Sequence, residues 1–350
     1  VKPRIAVTAD DTDWRMPGDG PGLLLTVPSW RHWRQRPLLH VEATRPYLLR
    51  VMLGGQPLFW MRVDDWWNGC AWLRGPAKLA DAFPRILAEE ARRHPEPGSP
   101  GWWAAWTRWW THHFETSEPS LLHSGRWCLR PLQVAPVAQA QGYSTVPIIG
   151  SGVLPEPPCE LHAALRFPPF RSEDWSWAEA GRLPERSGGV MPLRAPSPED
   201  DGRVKAWRKH VRDGTLPPVL LMYFALAERW LVVDGHDRLH AALLEGREPP
   251  LLGLWSFTET PVTEDLSTLF RQDGAMKAAE LRLRAKPGEV DAVNRSLPRD
   301  HALVHRLAVT RAFPLRGGAA TWQAEVTAWR KWSGVTVQPD DWADFVSTRG

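Results

Sequence analysis

The sequence predicts an α+β fold, on three observations. Short apolar runs bounded by Gly and Pro alternate with stretches whose bulky residues recur at helical spacing. Residues 199–257 read as helix, strand, strand, sharp glycine turn, helix and strand. The 27 Gly and 34 Pro make up roughly a sixth of 350 residues, too few for a low-complexity chain, and the 43% hydrophobic content can fill buried cores.

The first 150 residues form a Trp-rich α+β region. Gly22-Leu-Leu-Leu-Thr-Val27 and Tyr47-Leu-Leu-Arg-Val-Met-Leu53 read as strands, and Pro57-Leu-Phe-Trp-Met-Arg-Val63 pairs with the second across Gly54-Gly55-Gln56. A helix fits Pro84 to His94, with Pro84 in its first turn and Glu89 four residues before Arg93. Another fits Ser99 to Phe114: Ser99 is the N-cap, Pro100 takes the first helical position, and Trp103, Trp106, Trp110 and Phe114 recur along it, widened by Trp102 and Trp109. Such a stripe is either a stacking platform for bases or sugars or one buried face. Its 3.6-residue period is the one burial requires, so core is the expectation.

A Pro-rich connector follows over 151–189, with enough aromatics, Trp175 and Trp177 among them, to be packed and not mobile. The recognisable domain spans 190–275. A helical C-terminal region is expected over 276–350, with helices over Ala275–Ala285, Glu289–Leu297, Asp300–Phe313 and Thr321–Ser333; Trp322, Val326, Trp329 and Trp332 share one face of the last.

A net charge of +3 does not itself advertise nucleic acid, although Arg outnumbers Lys 36 to 7 and supplies planar anion ligands. Cys70, Cys128 and Cys159 are odd in number and form no C-x-x-C, against a disulfide scaffold or a Cys-based zinc site. The longest apolar run, Val219 to Ala227, is far short of a membrane span, and the chain reads as soluble and cytoplasmic.

Chemistry concentrates at Asp234-Gly-His-Asp-Arg238, where a strand ends and a helix begins. The unpaired backbone N–H groups of a first helical turn make a phosphate site there. Gly235 permits the tight turn, Arg238 can fork onto phosphate oxygens, and His236 can donate a hydrogen bond or a proton. Asp234 at the mouth is the candidate general base or Mg²⁺ ligand. The bland alternative is that Asp234 caps the helix and Arg238 pairs with it. His236 and His240 have the i, i+4 spacing of a helical zinc site, but His236 starts the helix and no third ligand is evident, so no zinc motif is assigned.

The order helix, Asp213-Gly-Thr-Leu-Pro-Pro-Val219, strand, Val232-Val-Asp-Gly-His-Asp-Arg-Leu-His-Ala-Ala242, Gly246, strand resembles the ParB/sulfiredoxin superfamily. The D-G-H-x-R box is closest to that of its free serine kinases. The resemblance implies a mixed α/β nucleotide-binding domain in which Gly235, His236 and Arg238 hold the phosphates of ATP, ADP or CTP, with Mg²⁺ through Asp234. It further implies a catalytic acid before the first helix, at Glu199, or else Asp200 or Asp201; a plain helix-start charge is the alternative for Glu199. The sulfiredoxin Cys is missing, because His236 directly follows Gly235. The activity expected is phosphoryl transfer to a small-molecule or protein hydroxyl, or nucleotide hydrolysis. Second to it stands a nucleotide-gated module with little turnover that binds DNA or a partner protein. DNA contact would draw on Arg282, Arg284, Lys286, Arg295, Arg299, Arg306 and Arg311.

Overall fold

In the computed structural model, the described residues are 6–9, 22–28, 36–63, 70–79, 83–93, 96–117, 120–134, 155, 157–173, 189–227, 229–261, 275, 278–284 and 304–347. In chain order they form β1 (Ala6–Ala9), β2 (Leu23–Val27), β3 (Leu39–Thr44), β4 (Leu48–Leu53), β5 (Gln56–Val63), β6 (Cys70–Arg74), α1 (Ala88–Arg93), α2 (Pro100–Thr116) and β7 (Gly125–Leu132). A 3-10 turn at Leu161–Leu165 precedes β8 (Phe170–Glu173) and β9 (Val190–Pro192). Next come α3 (Gly202–Arg212), β10 (Val219–Phe224), β11 (Arg229–Asp234), α4 (His236–Leu244) and β12 (Leu251–Pro261). The chain continues with β13 (Val304–Val309), β14 (Ala312–Pro314), α5 (Gly318–Ser333) and α6 (Pro339–Val346).

Two mixed sheets organise these elements. One runs β1-β2-β7-β12-β10-β11-β9, so strands from the first 150 residues and from 190–261 share it. β7 takes one edge of β12; β10 pairs residues 251–254 on the other edge and β13 pairs residues 256–261. The second sheet runs β14-β3-β4-β5-β6-β8.

Side-chain alternation along the strands explains the layering. Leu231 and Val233 of β11, Leu220 and Phe224 of β10, and Leu252 and Leu254 of β12 enter a core shared with Leu49, Val51, Phe59 and Trp72 of the second sheet. Their neighbours Trp230, Val232, Leu221, Leu251 and Trp255 face the other way, onto Leu161, Ala164 and Leu239 of α4. The outer face of the second sheet, with Leu48, Trp60 and Leu73, is covered by Trp322 and Val326 of α5 and Phe345 of α6. A helical layer therefore lies outside each of two facing sheets. β10 and β11 are buried on both faces, which is why they read as continuous apolar runs.

The hairpin expected at Gly54-Gly55 is present, with Leu53 opposite Gln56. Both glycines have positive φ, as a two-residue hairpin turn demands. Ser99 caps α2, its side chain accepting from the Trp102 N–H at 3.2 Å. Trp106, Trp110 and Phe114 of the expected stripe are buried in the core between the sheets together with Trp102, and Trp103 and Trp109 pack half-buried against it, so the indole stripe is core. The connector is packed where described: β8 extends the second sheet, Cys159 bridges to Gly189, and Leu161 and Ala164 of the 3-10 turn are buried. Trp175 and Trp177 lie outside the described residues.

Two expectations need correction. The helix expected over Asp300–Phe313 is instead β13 and β14, paired with β12 and β3, so the C-terminal region is not all helical. Non-local pairing decides there, because Val304, Leu307, Ala308 and Val309 fit either period. The helix expected from Pro84 starts only at Ala88, with the Leu87 N–H donating to Glu90. Helical backbone covers 278–283 of the expected Ala275–Ala285, and Glu289–Leu297 lies outside the described residues. Among the described residues no helix is long and apolar enough to cross a membrane.

Candidate functional site

The junction between β11 and α4 brings the D-G-H-x-R box into one place. β11 ends at Asp234, Gly235 turns the chain with φ 91° in the left-handed region, and α4 begins at His236. Gly235 is the N-cap and no side chain caps α4, so a first-turn dipole and its N–H donors face the turn. α3 packs against α4 through Val204, Val211, Ala241 and Ala242, fixing the angle at which α4 leaves the sheet.

Arg238 lies beneath Gly235. Its side chain is 4% exposed; Nη2 donates to the Pro218 carbonyl at 3.0 Å and to Asp234 Oδ2, and the guanidinium stands 5.6 Å from the Trp207 ring centroid. Asp234 itself is 20% exposed and so reaches the surface of the turn. Asp234, Gly235 and Arg238 are thus together, in the pairing that a ligand-free turn would also make.

A Cβ built on Gly235 would lie 2.8 Å from Arg238 Nη2. Gly235→Ala therefore meets both left-handed strain and a buried guanidinium held at two acceptors. We expect a loss of about 1–3 kcal/mol, read from urea unfolding midpoints. An unchanged midpoint would show that the guanidinium moves away freely.

His236 points elsewhere. It is 3% exposed, and Nε2 accepts the backbone N–H groups of Leu193 at 3.1 Å and Arg194 at 3.3 Å. Burial, reinforced by the Arg194 charge, holds its imidazole well below the ordinary histidine range, with Asp237 opposing. The ring is therefore neutral, with its proton on Nδ1. His240, one turn on, donates from Nδ1 to the Ser197 carbonyl at 3.0 Å. Both of the i, i+4 histidines thus bind the backbone of the 193–197 segment.

Asp237, the variable position of the box, completes that attachment. Its carboxylate accepts from Arg194 at 2.8 and 3.1 Å as a fork, and from the Ser197 N–H at 2.9 Å; Arg203 stands 3.5 Å away. Burial alone would raise the carboxyl, but the Arg194 and Ser197 contacts outweigh it and hold it at about 2. Sequence reasoning passed over both Asp237 and Arg194. The only available signal was an acidic residue in the first turn of α4, since Arg194 is 43 residues away.

Glu199 sits at the start of α3, 61% exposed, 3.0 Å from Arg208, which also bonds Glu245 of α4's C-terminal end. Asp201 is the α3 N-cap, accepting from the Arg203 N–H. Glu199 and Asp201 thus serve the α3 start and the α3–α4 contact. Among the described residues no three His, Cys, Asp or Glu converge as a metal site, so a Mg²⁺ at Asp234 would need phosphate and water for most of its ligands. Compared with family models, curated proteins and solved structures, the chain matches none.

Proposed function

We propose that the chain is a nucleotide-binding protein of the ParB/sulfiredoxin type, holding the ligand's phosphates at the N-terminus of α4. The observation that carries this is the left-handed Gly235 turn at the end of β11, which leaves α4 without a side-chain cap and has a buried guanidinium directly beneath. With no Cβ at Gly235, backbone and phosphate can approach closely, and Arg238 adds positive potential from below. Asp234, the carboxylate of the turn that reaches solvent, is the group to meet Mg²⁺ or an acceptor hydroxyl. When bound, a nucleotide with Mg²⁺ would supply the transferable phosphoryl group. This chain would position it and receive or withhold the hydroxyl proton at Asp234.

A second reading keeps the ligand and drops the turnover: a nucleotide-gated module acting on DNA or a protein. It is favoured by the inward pairing of His236, whose neutral Nε2 is occupied by two N–H donors and has no proton to give. Thermal unfolding with ATP, ADP, CTP and GTP, with and without Mg²⁺, tests both readings. A ligand at 100 times its Kd should stabilise by about 2.7 kcal/mol. Turnover that disappears in Asp234→Asn while binding survives supports phosphoryl transfer. Stabilisation without turnover, together with DNA retention near ~100 mM salt that changes with nucleotide, supports the module. No stabilisation by any of the four removes the proposal.

A further inference from the structure

Taken alone, the first turn of α4 has the wrong charge for a phosphate. Asp234 and Arg238 pair with each other and His236 is neutral, which leaves the Asp237 carboxylate as the balance of the D-G-H-D-R box. Asp237 is the second residue of α4. A carboxylate there opposes the anion that the helix dipole attracts. Its side chain is 4% exposed, so little water screens it and its field reaches further than that of a surface carboxylate.

The cation that corrects this balance comes from outside the helix. Arg194 spreads both of its Nη atoms onto the Asp237 oxygens, at 3.1 and 2.8 Å. Its place is fixed twice more: Nη1 donates to the Ala195 carbonyl at 2.8 Å, and the backbone N–H donates to His236 Nε2 at 3.3 Å. Arg194 follows β9 closely, and the parallel pairing of β9 with β11 brings it to the turn. Arg203 also stands 3.5 Å from Asp237, but it is 61% exposed and water screens most of its charge.

The turn also holds a donor that the protein leaves unused. Arg238 Nε is buried with no hydrogen-bond acceptor among the described residues. It lies 3.1 Å from the position a Cβ would take on Gly235. An oxygen drawn against the bare glycine backbone therefore comes within its reach.

We propose that Arg194 is a positioning residue for anion binding at α4: by cancelling the Asp237 charge it reverses the sign of the first turn, and nucleotide affinity follows that balance. The role rests on the reading of the α4 turn as a phosphate site, and it needs no contact between Arg194 and the ligand.

The test is calorimetric titration of the full chain with the Mg²⁺ complexes of ATP, ADP, CTP and GTP, at about pH 8 so that Asp237 stays ionised without its fork. Arg194→Gln leaves the carboxylate with only Ser197 and the exposed Arg203, and should weaken binding at least about fivefold. Arg194→Lys keeps the cation without the fork and should stay within about twofold of wild type. Asp237→Asn should bind at least about threefold tighter than wild type, although it unfolds at lower urea. The double variant Arg194→Gln/Asp237→Asn has the charge sum of wild type and should return to within about twofold of it. A role confined to holding the fold predicts weaker binding in Asp237→Asn and no recovery in the double variant. Either of those results overturns the proposal, as does an equal loss in Arg194→Lys and Arg194→Gln. If wild type binds none of the four nucleotides, the turn is not a phosphate site and Arg194 has no such role. If wild type binds and Arg194→Gln binds equally, the phosphate site stands and the Arg194 role alone is lost.

Discussion

Trp106→Ala is expected to remove about 3–5 kcal/mol of stability, a large share of what a typical folded chain possesses. Trp106 is fully buried at the midpoint of α2 and meets Trp102 and Trp109 edge-on, at centroid distances of 6.2 and 5.6 Å. Deleting its indole opens a cavity in the core that both sheets share, so neither sheet can collapse into the space without disturbing the other. Trp110→Phe provides the contrast. The Trp110 Nε1 is buried with no hydrogen-bond acceptor among the described residues, so losing that N–H forfeits packing alone. Urea unfolding of both variants checks this: a cost below ~1 kcal/mol for Trp106→Ala would deny that the indole face is core.

Features set by neighbours in sequence were legible. Ser99 and Pro100 announce α2, Gly54-Gly55 announces a hairpin, and the order of elements across 202–257 follows from period, glycine and proline alone. What depends on distant partners was not. β7 lies inside the first sheet between β2 and β12, yet Arg126, Arg130 and Pro131 interrupt its apolar run. Pro131 has no N–H to donate, and such a residue normally argues against a central strand. β13 has an ambiguous period and becomes a strand because the long β12 offers it an edge beyond β10.

The candidate site divides in the same way. The D-G-H-x-R box marked the strand-turn-helix junction correctly as a place, because glycine at positive φ is a local requirement. It could not indicate which way the side chains turn. His236, Asp237 and His240 all face the 193–197 segment, and that segment approaches α4 only because β9 pairs in parallel with β11. Topology, not spacing, thus commits His236 and Asp237 of the box to holding a strap on α4 and leaves Asp234 half-buried beside the buried Gly235.

Asp237→Asn is expected to cost about 2.5 kcal/mol at pH 7 and to abolish one step of acid destabilisation. The folded carboxyl sits at about 2 against an ordinary 3.8. Above pH ~4 it is ionised in both folded and unfolded chains, and its full contribution is present. As pH falls from about 4 toward 2 the unfolded chain takes up the proton first, and the contribution drains away. At ~1.4 kcal/mol per unit, the gap amounts to about 2.5 kcal/mol. Asparagine copies the protonated carboxyl in shape and neutrality, so the variant should begin at neutral pH with the loss that wild type reaches only in acid. The depressed histidines act earlier: His236, His40 and His123 resist protonation when folded, so stability declines as pH drops below 6.5. Removing the Asp237 charge, which opposes the shift at His236, only depresses that histidine further, so while it stays neutral in the folded chain the decline is common to both proteins. Urea unfolding at a series of pH values should therefore give two parallel curves from about pH 7 to 4 that converge by about pH 2. Curves that stay parallel throughout would mean that Asp237 takes up its proton alike in the folded and unfolded chains, and that the Arg194 fork does not hold its charge.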